Sequence, residues 1–400
     1  MALKRETDVL VVGAGPVGLF AALSLAERGV AVEVIDKEWH GSAHSYALAL
    51  HPGTLRMLDE YGAADELLAT GHRVERVAFY EGDQRAGSLE ISQLGAPYPF
   101  VLVVPQSALE RALERALKQR KVKVFWNHQC LAMSQDGGGV SARVARMEKY
   151  SMGYPVAHTE WMVAKEYDVR SRFLIGADGY HSSVRKNLGS RYEHKGEAEA
   201  FSVYEFHAEI DFQDEVRVVF HDGRLNVVWP LHGKRARWSF QVERNSPAPP
   251  TMDGLREMIR SRAPWFEHEI EELHWTATVV FERRLVNQFG RDHVWLAGDA
   301  AHITGPVGAQ SMNVGLREGY GLTERFSAIV KSGEQAEAMQ SFEDERQSEW
   351  NRLLGGADVL RASGTAPAWA AKYAGQIVPC VPASGGELEQ LLGQIGLEFE

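Results

Sequence analysis

Four segments carry residue types and spacings that can do chemistry. Gly13-Ala14-Gly15-Pro16-Val17-Gly18 has the G-x-G-x-x-G spacing, and Asp36 follows eighteen residues after Gly18. In that pattern Gly13 permits a tight turn, Gly15 lets backbone approach a pyrophosphate, and Gly18 lets a helix pack closely on a strand. The unpaired N–H groups of a helix starting there attract phosphate, and Asp36 is placed to accept hydrogen bonds from a ribose diol. Two further runs, Arg172-Phe173-Leu174-Ile175-Gly176-Ala177-Asp178-Gly179 and Val294-Trp295-Leu296-Ala297-Gly298-Asp299, each read as a buried strand ending in a carboxylate. Open α/β sheets place ligand contacts at such strand ends. The fourth segment runs from Gly305-Pro306 through Gly308 to Ser311-Met312-Asn313 and leads into an apolar helix. Taken singly, each acid also fits an Asx turn, and Gly305, Pro306 and Gly308 fit an ordinary tight turn.

The elements that must position these residues are legible around them. Asp8–Val12 is β-branched and apolar, as a doubly buried parallel strand is. Leu19, Ala22, Leu23 and Ala26 recur at helical spacing up to a stop at Gly29, and Ala31–Ile35 returns as a strand. The fingerprint thus sits in the βαβ context it requires. Farther on, Pro52–Gly71 reads as a helix pair and Phe100–Val104 as a strand. Ser107 and Glu110 have capping-box spacing ahead of a helix striped by Leu109, Leu113, Ala116 and Leu117. Lys121–Phe125 reads as another strand. Short β segments with glycine turns fill Cys130–Leu174, suggesting an antiparallel meander. A second β region follows, with strands at Phe201–Tyr204, Val216–Phe220, Leu225–Trp229 and Trp238–Phe240. Near the end, Leu388, Leu391, Leu392 and Ile395 mark a short amphipathic helix.

Composition narrows the class. The 400 residues are 44% hydrophobic and 24% charged, which excludes a disordered or collagenous chain. A net charge of −11 with no basic face argues against a nucleic-acid binder. Cys130 and Cys380 stand alone and far apart, so neither a disulfide scaffold nor a cysteine-rich metal site is expected, and no metal is assigned. Val9–Ala26 is an uncharged eighteen-residue run, but Gly13, Gly15, Pro16 and Gly18 break it into two elements rather than one spanning helix. We expect no integral membrane segment and a cytoplasmic location.

With the three motifs in this order, the sequence resembles the single-component (group A) FAD-dependent aromatic hydroxylases of the para-hydroxybenzoate hydroxylase type, from Asp8 to about Leu354. The resemblance implies an α/β fold. A Rossmann-like FAD-binding domain with a parallel sheet and β-meander joins a β-sheet substrate domain and a C-terminal helical region. It divides the chain into 1–185 (FAD-binding, with roughly 76–99 assigned to the substrate domain), 186–284 (substrate β domain), 285–354 (FAD-binding, second part) and 355–400 (tail).

By position, the resemblance places the Gly13, Gly15, Gly18 loop and Asp36 on the ADP half of FAD, and Gln106 at the middle of the cofactor. Asp299 falls on the ribityl chain, Met312 and Asn313 at the pyrimidine end of the flavin, and Pro306 beside the substrate. Pro16, Lys37, Gly298, Gly308 and Ser311 are counted with the cofactor set. Asp178, with His181 and Arg185, matches a segment that serves both FAD and the nicotinamide cofactor. Ser45-Tyr46-Ala47 stands where many members have Ser-Arg-Ala, and Glu318-Gly319-Tyr320-Gly321 replaces Asp-Ala-x-Asn. Longer members carry a thioredoxin-like C-terminal domain, which is not expected here.

The implied reaction takes hydride from NADPH or NADH to FAD, adds O2 to form a flavin hydroperoxide, and transfers one oxygen atom to an aromatic or polycyclic small molecule. Hydroxylation, epoxidation and Baeyer–Villiger insertion share these motifs. The alternatives are a reductase or oxidase without oxygen insertion, and a flavin-dependent halogenase, although no W-x-W-x-I-P segment is present. Tyr204, His207, His221 and His232 lie in the β region that covers the pocket, but none is assigned as a base. A monomer or homodimer is expected.

Overall fold

The computed structural model describes residues 3–39, 49–95, 97–152, 158–333, 336–355 and 360–400. Strand β1 (Glu6–Val12), helix α1 (Pro16–Glu27) and strand β2 (Val32–Ile35) form the expected βαβ unit. The uncharged run that superficially matches a membrane span is therefore one strand and one helix, and no helix among the described residues is long and apolar enough to cross a membrane. Gly29 takes φ +75° just past the end of α1, as a left-handed stop requires.

β1 is central to an eight-stranded sheet. Its neighbours are β2 and the strand His158–Gly176, both parallel to it, and Val294–Leu296 runs parallel beyond the latter. Val12 pairs in register with Gly176, and Gly176 with Leu296. The three carboxyl ends that carry Gly13, Asp178 and Asp299 thus lie side by side on one edge. The meander His128–Asp136, Gly139–Met152 and His158–Gly176 joins this sheet by antiparallel pairing.

A seven-stranded sheet stands beside the first. Its order is Ile270–Phe281, Glu199–Ala208, Arg235–Val242, Arg224–Leu231, Glu215–His221, Arg76–Glu81 and Gln84–Glu90. Its two faces separate by the strand alternation. One joins the core under the first sheet through Phe201, Val203, Val227 and Trp229. The other forms a separate aromatic core of Tyr204, Phe206, Trp238, Phe240 and Phe266, covered by the helix Met252–Arg262. A small bridging sheet joins Tyr192–His194, Arg284–Val286 and His302–Ile303. The expected 284/285 boundary falls inside its middle strand, so the chain passes between the large sheets within a strand rather than through a loop.

Other local readings are corrected. The helix Gln106–Gln119 begins one residue before Ser107, its cap is Pro105, and no side chain caps it. Gln106 Nε2 donates to Glu110 Oε1 at 2.8 Å instead, an i,i+4 contact that takes up the acid expected in the capping box. The strand expected at Lys121–Phe125 is only Val124–Phe125, because Lys121 takes a positive φ and Val122 still bonds back to Leu117. The tail is part of the main core: Ile377, Val378, Cys380, Leu388, Leu391 and Leu392 are all buried in it.

Gly13 and Gly18 are where backbone geometry demands glycine. Gly13 has φ +109°, and a Cβ there would overlap the Ala177 carbonyl of the neighbouring strand end. A Cβ on Gly18 would overlap the Gly13 carbonyl. At Gly15 φ is −73°, and nothing lies within 4 Å of an added Cβ. Gly18→Ala should therefore cost about 1–3 kcal/mol as an overpacked contact, whereas Gly15→Ala should cost less than about 1 kcal/mol, the range for a helix N-cap change. Urea denaturation of both variants checks the contrast, and equal losses would contradict it.

Candidate functional site

The aligned strand ends border two cavities that share Gly15, Ala177 and Gly179 and so form one elongated groove. The narrower part, of about 250 Å³, is lined by Gly13, Asp36, Lys37, Asp178 and His181, among others. The wider part, of about 480 Å³, is lined by Pro16, Gln106, Gly298, Asp299, Pro306, Ser311 and Met312, with Phe281 and Ile303 as apolar wall. The N-terminus of α1 opens on both parts without a side-chain cap, leaving its first N–H groups available. The helix Gln310–Ser332 begins at the far end of the wide part, also without a side-chain cap.

Each acid is held by a distinct local device. Asp36 Oδ2 accepts the Ala14 N–H at 2.6 Å and Oδ1 accepts the Glu38 N–H at 2.8 Å, fixing the acid against the glycine turn. Asp299 Oδ1 accepts from Ser311 Oγ at 2.8 Å, tying the second Gly-Asp turn to the helix start. Asp178 is used differently. Its carboxylate accepts the Ser183 N–H at 2.6 Å, Ser183 Oγ at 2.9 Å, the Val184 N–H at 3.2 Å and the Ser182 hydroxyl. It therefore organises the first turn of the helix Ser183–Leu188, and its place in the groove wall follows from that turn.

Three predicted residues support the groove without lining it. Gly18 packs behind the turn. Gly308 faces the tail: a Cβ there would lie 2.7 Å from the Pro379 carbonyl oxygen. Asn313 is fully buried; its Oδ1 accepts the His51 N–H at 2.9 Å, and its Nδ2 donates to the carbonyls of Ala49 and Ala309 at 2.9 and 2.7 Å. Arg185 departs from its expected nicotinamide contact. It is buried, donates to the carbonyls of Ala300 (2.9 Å) and Tyr180 (2.7 Å), and its guanidinium stacks 3.8 Å over Tyr192. Its donors face inward because this shell of carbonyls and ring replaces the water a buried cation loses. His181 remains exposed on the groove. Tyr46 and its neighbours lie outside the described residues.

A family model described as "FAD binding domain" matches residues 6–355. The chain belongs to the FAD-binding domain family. Pentachlorophenol 4-monooxygenase from Sphingobium chlorophenolicum is 25% identical over 367 residues, covering 89% of this chain and 65% of that protein. A flavin-dependent monooxygenase from Mycobacteroides abscessus is 26% identical over 375 residues, covering 90% and 75%. The chain thus spans slightly under two thirds of the length of the first of these relatives. Among solved structures, aklavinone-11 hydroxylase in complex with FAD and aklavinone aligns with TM-score 0.71 at 23% identity, covering 98% of this chain and 73% of that one. p-Nitrophenol 4-monooxygenase from Pseudomonas putida aligns with TM-score 0.69 at 21% identity, covering 87% and 86%. These structural likenesses are of fold, the para-hydroxybenzoate hydroxylase type.

The groove suits the cofactor that gives the FAD-binding domain family its name. Gly15 and Gly179 have no atom within 4 Å of an added Cβ, so both leave room for a ligand against bare backbone. One end offers the Asp36 carboxylate, the middle offers helix N–H groups, and the far end offers a second helix start beside the apolar side chains of Phe281 and Ile303.

Sequence reasoning missed two buried devices that support the groove. Glu318 and His302 are both fully buried, with His302 Nε2 and Glu318 Oε2 2.7 Å apart. Glu318 also accepts the Gly298 N–H at 2.9 Å and the Trp350 indole N–H at 2.7 Å, and the His302 ring stacks on Trp350 at 3.8 Å. Burial pushes the Glu318 carboxyl up, but His302 and the two N–H donors outweigh it and hold it below the usual carboxylate range. The carboxylate thereby anchors the turn that presents Asp299. Its signal in the sequence was an acid on the same helical face as Val314, Gly315 and Leu322.

The second device is His51, whose Nε2 lies 2.8 Å from the Gly308 carbonyl oxygen and donates to it. Burial drives its imidazole down to about 4, only partly offset by that hydrogen bond, and Arg317 pushes the same way. The unfolded chain takes up this proton near pH 6.5 and the folded chain near 4, so the stability that neutral His51 contributes is lost as pH falls between them. A gap of that size corresponds to roughly 3 kcal/mol. The wild-type denaturation midpoint should fall across this window, and His51→Asn should flatten that part of the profile. An unchanged slope in the variant would contradict the assignment.

Proposed function

We propose that this chain is a FAD-dependent monooxygenase that uses NADPH or NADH and O2 to hydroxylate, or otherwise oxygenate, an aromatic or polycyclic small molecule. The observation that carries the reading is the continuous groove across three aligned strand ends, widening at Pro306 and Met312 beneath the apolar wall of Phe281 and Ile303. The oxygenase names of the relatives, and the aromatic or polycyclic compounds in several of them, support the same conclusion.

In this reading Gly13, Gly15, Pro16 and Asp36 hold the ADP half of FAD, with Lys37 beside the phosphates or ribose. Gln106 meets the middle of the cofactor and Asp299 the ribityl chain. The backbone at Ser311 and Met312 meets the pyrimidine edge of the ring. Asn313 and Gly308 act from behind by fixing that loop, and His181 is the residue left to meet the nicotinamide cofactor. Residues 1–185 and 285–354 make the FAD-binding part. Residues 186–284, with the strands of 76–99, make the substrate part, and 355–400 close the loop at Gly308.

Bound FAD supplies the two-electron relay from reduced nicotinamide to dioxygen. The protein's own part is to orient and to exclude water. The uncapped start of the helix Gln310–Ser332 favours negative charge on whatever lies against it, which suits a reduced flavin. Phe281, Ile303 and Pro306 give a dry face for a planar substrate, and a dry site favours oxygen transfer over loss of peroxide to water.

Purified protein should carry or take up FAD. Asp299→Ala should weaken FAD binding by roughly tenfold or more, because a hydrogen bond to a charged group contributes about 1.5–3 kcal/mol. Reaction under 18O2 with a panel of phenols, polycycles and chloride should yield product containing one labelled oxygen atom. Unlabelled or halogenated product, or peroxide alone, would reject the monooxygenase reading.

A further inference from the structure

The strand His158–Gly176 is longer than the sheet that holds it. At Arg170 and Ser171 it is paired on both edges, with Ser141 and Val140 on one side and Glu6 and Thr7 on the other. From His158 to Val169 it keeps only the antiparallel partner Gly139–Met152, and no other strand among the described residues pairs with its second edge. The two strands form an arm with one long edge open to a further strand. Proteins usually blunt such an edge with proline, charge or a short length. This one holds no proline, and its middle is the apolar run Trp161-Met162-Val163-Ala164.

The arm is also where large apolar side chains meet water. Trp161, Met162 and Val163, with Tyr150 on the paired strand and Trp39 beside it, keep 42–59% of their exposure. Grouped exposure of this kind marks an interaction surface. The Lys149 ammonium lies 5.0 Å from the Trp161 ring centroid and 5.5 Å from that of Trp39, which holds both indoles on one face. Charge points to the occupant. A chain of net charge −11 repels its own copies, so two copies must meet where charge is locally balanced. The arm meets that condition, with Arg143, Arg146, Lys149 and Lys165 against Glu148, Glu160, Glu166 and Asp168.

We propose that this open edge is a homodimer interface: two copies pair their arms antiparallel, with the two-fold axis at Met162, and join their sheets. An isologous contact sets the same strand against itself, so the register can be read from the charges. With the axis at Met162, Trp161 stands opposite the second copy's Val163, Glu160 opposite its Ala164, and Glu166 opposite its His158. Moving the axis to Val163 would set Glu160 opposite Glu166, and moving it to Ala164 would set Glu160 opposite Asp168. Like charges directly opposed destabilise a strand pair, whereas aromatic and β-branched side chains so placed stabilise it. In the Met162 register the two Trp161–Val163 pairs share one face of the joined sheet and the two methionines meet on the other. The partner strand lies in line with Glu6–Val12 without overlapping it, because that strand first pairs at Arg170. The proposal is independent of the monooxygenase reading.

The test is the mass of the full chain in solution, measured by size-exclusion chromatography with light scattering over a range of concentrations. Wild type should show the mass of two chains. Joint Trp161→Lys and Val163→Lys substitution removes both apolar pairs and sets lysines against each other, so the dimer Kd should rise by about tenfold or more. A second measurement needs no disruptive change. Directly opposed residues of an antiparallel pair have Cα atoms about 4.5–5.5 Å apart, within disulfide reach. Mild oxidation should therefore link Met162→Cys into covalent dimers and leave Glu166→Cys unlinked. Cys130 and Cys380 are buried and do not compete. A wild type that stays a single chain, a dimer that survives the lysine substitutions, or equal linkage at both cysteine positions would overturn the proposal. A single chain that pellets with phosphatidylcholine vesicles would also overturn it and assign the arm to a lipid surface.

Discussion

One backbone constraint underlies the site: three parallel strands far apart in sequence must end at the same height. Val12, Gly176 and Leu296 are register partners, and the turns that follow them share the space just beyond the sheet edge. That space is so restricted that Gly13 sits against the Ala177 carbonyl and Gly18 against the Gly13 carbonyl, with no room for a Cβ at either. A slip of one residue in either pairing would turn alternate side chains to the wrong face and separate Asp36, Asp178 and Asp299. The groove is thus a product of register before it is a product of any functional side chain.

The rest of the molecule stabilises that edge from behind. α1 lies against the helix Gln310–Ser332, where Gly315 brings the second helix within 2.9 Å of Gly298 and Val17 for any added Cβ. Ser24 and Thr323 share a hydrogen bond of 2.7 Å across the same seam. Glu318 reaches up from this helix to the Gly298 N–H, and Asn313 with His51 fixes its first turn. The tail completes the arrangement: Gln310 Nε2 donates to the Val378 carbonyl at 2.8 Å, behind the loop that carries Pro306. The second sheet contributes Phe281 to the wall opposite.

Much of this was legible in the sequence because it is local. The βαβ unit, the two Gly-Asp strand ends and the helix after Asn313 are each set by patterns within about twenty residues. The less visible parts are those in which a side chain answers to something remote. Asp178 has the right position for a ligand contact, yet its carboxylate is taken up by the first turn of the next helix. Arg185 looks like a free cation in the sequence, but carbonyls more than a hundred residues apart in the chain turn it inward. Glu110 looks like a capping residue, and one extra helical residue gives it to Gln106 instead. His51 carries no motif of its own, and Glu318 is visible in the sequence only as a departure from the Asp-Ala-x-Asn pattern. Only the fold makes them buried, and only burial makes them informative.

The central claim is that the three strand ends hold a single FAD along their shared edge. Diffraction from crystals of the FAD-loaded protein tests it most directly. The account predicts continuous cofactor density with the adenosine ribose at Asp36, the ribityl chain at Asp299 and the ring against Met312 and Pro306. Density for FAD at any other place, or an ordered crystal of the yellow protein with this groove filled only by solvent, would contradict it.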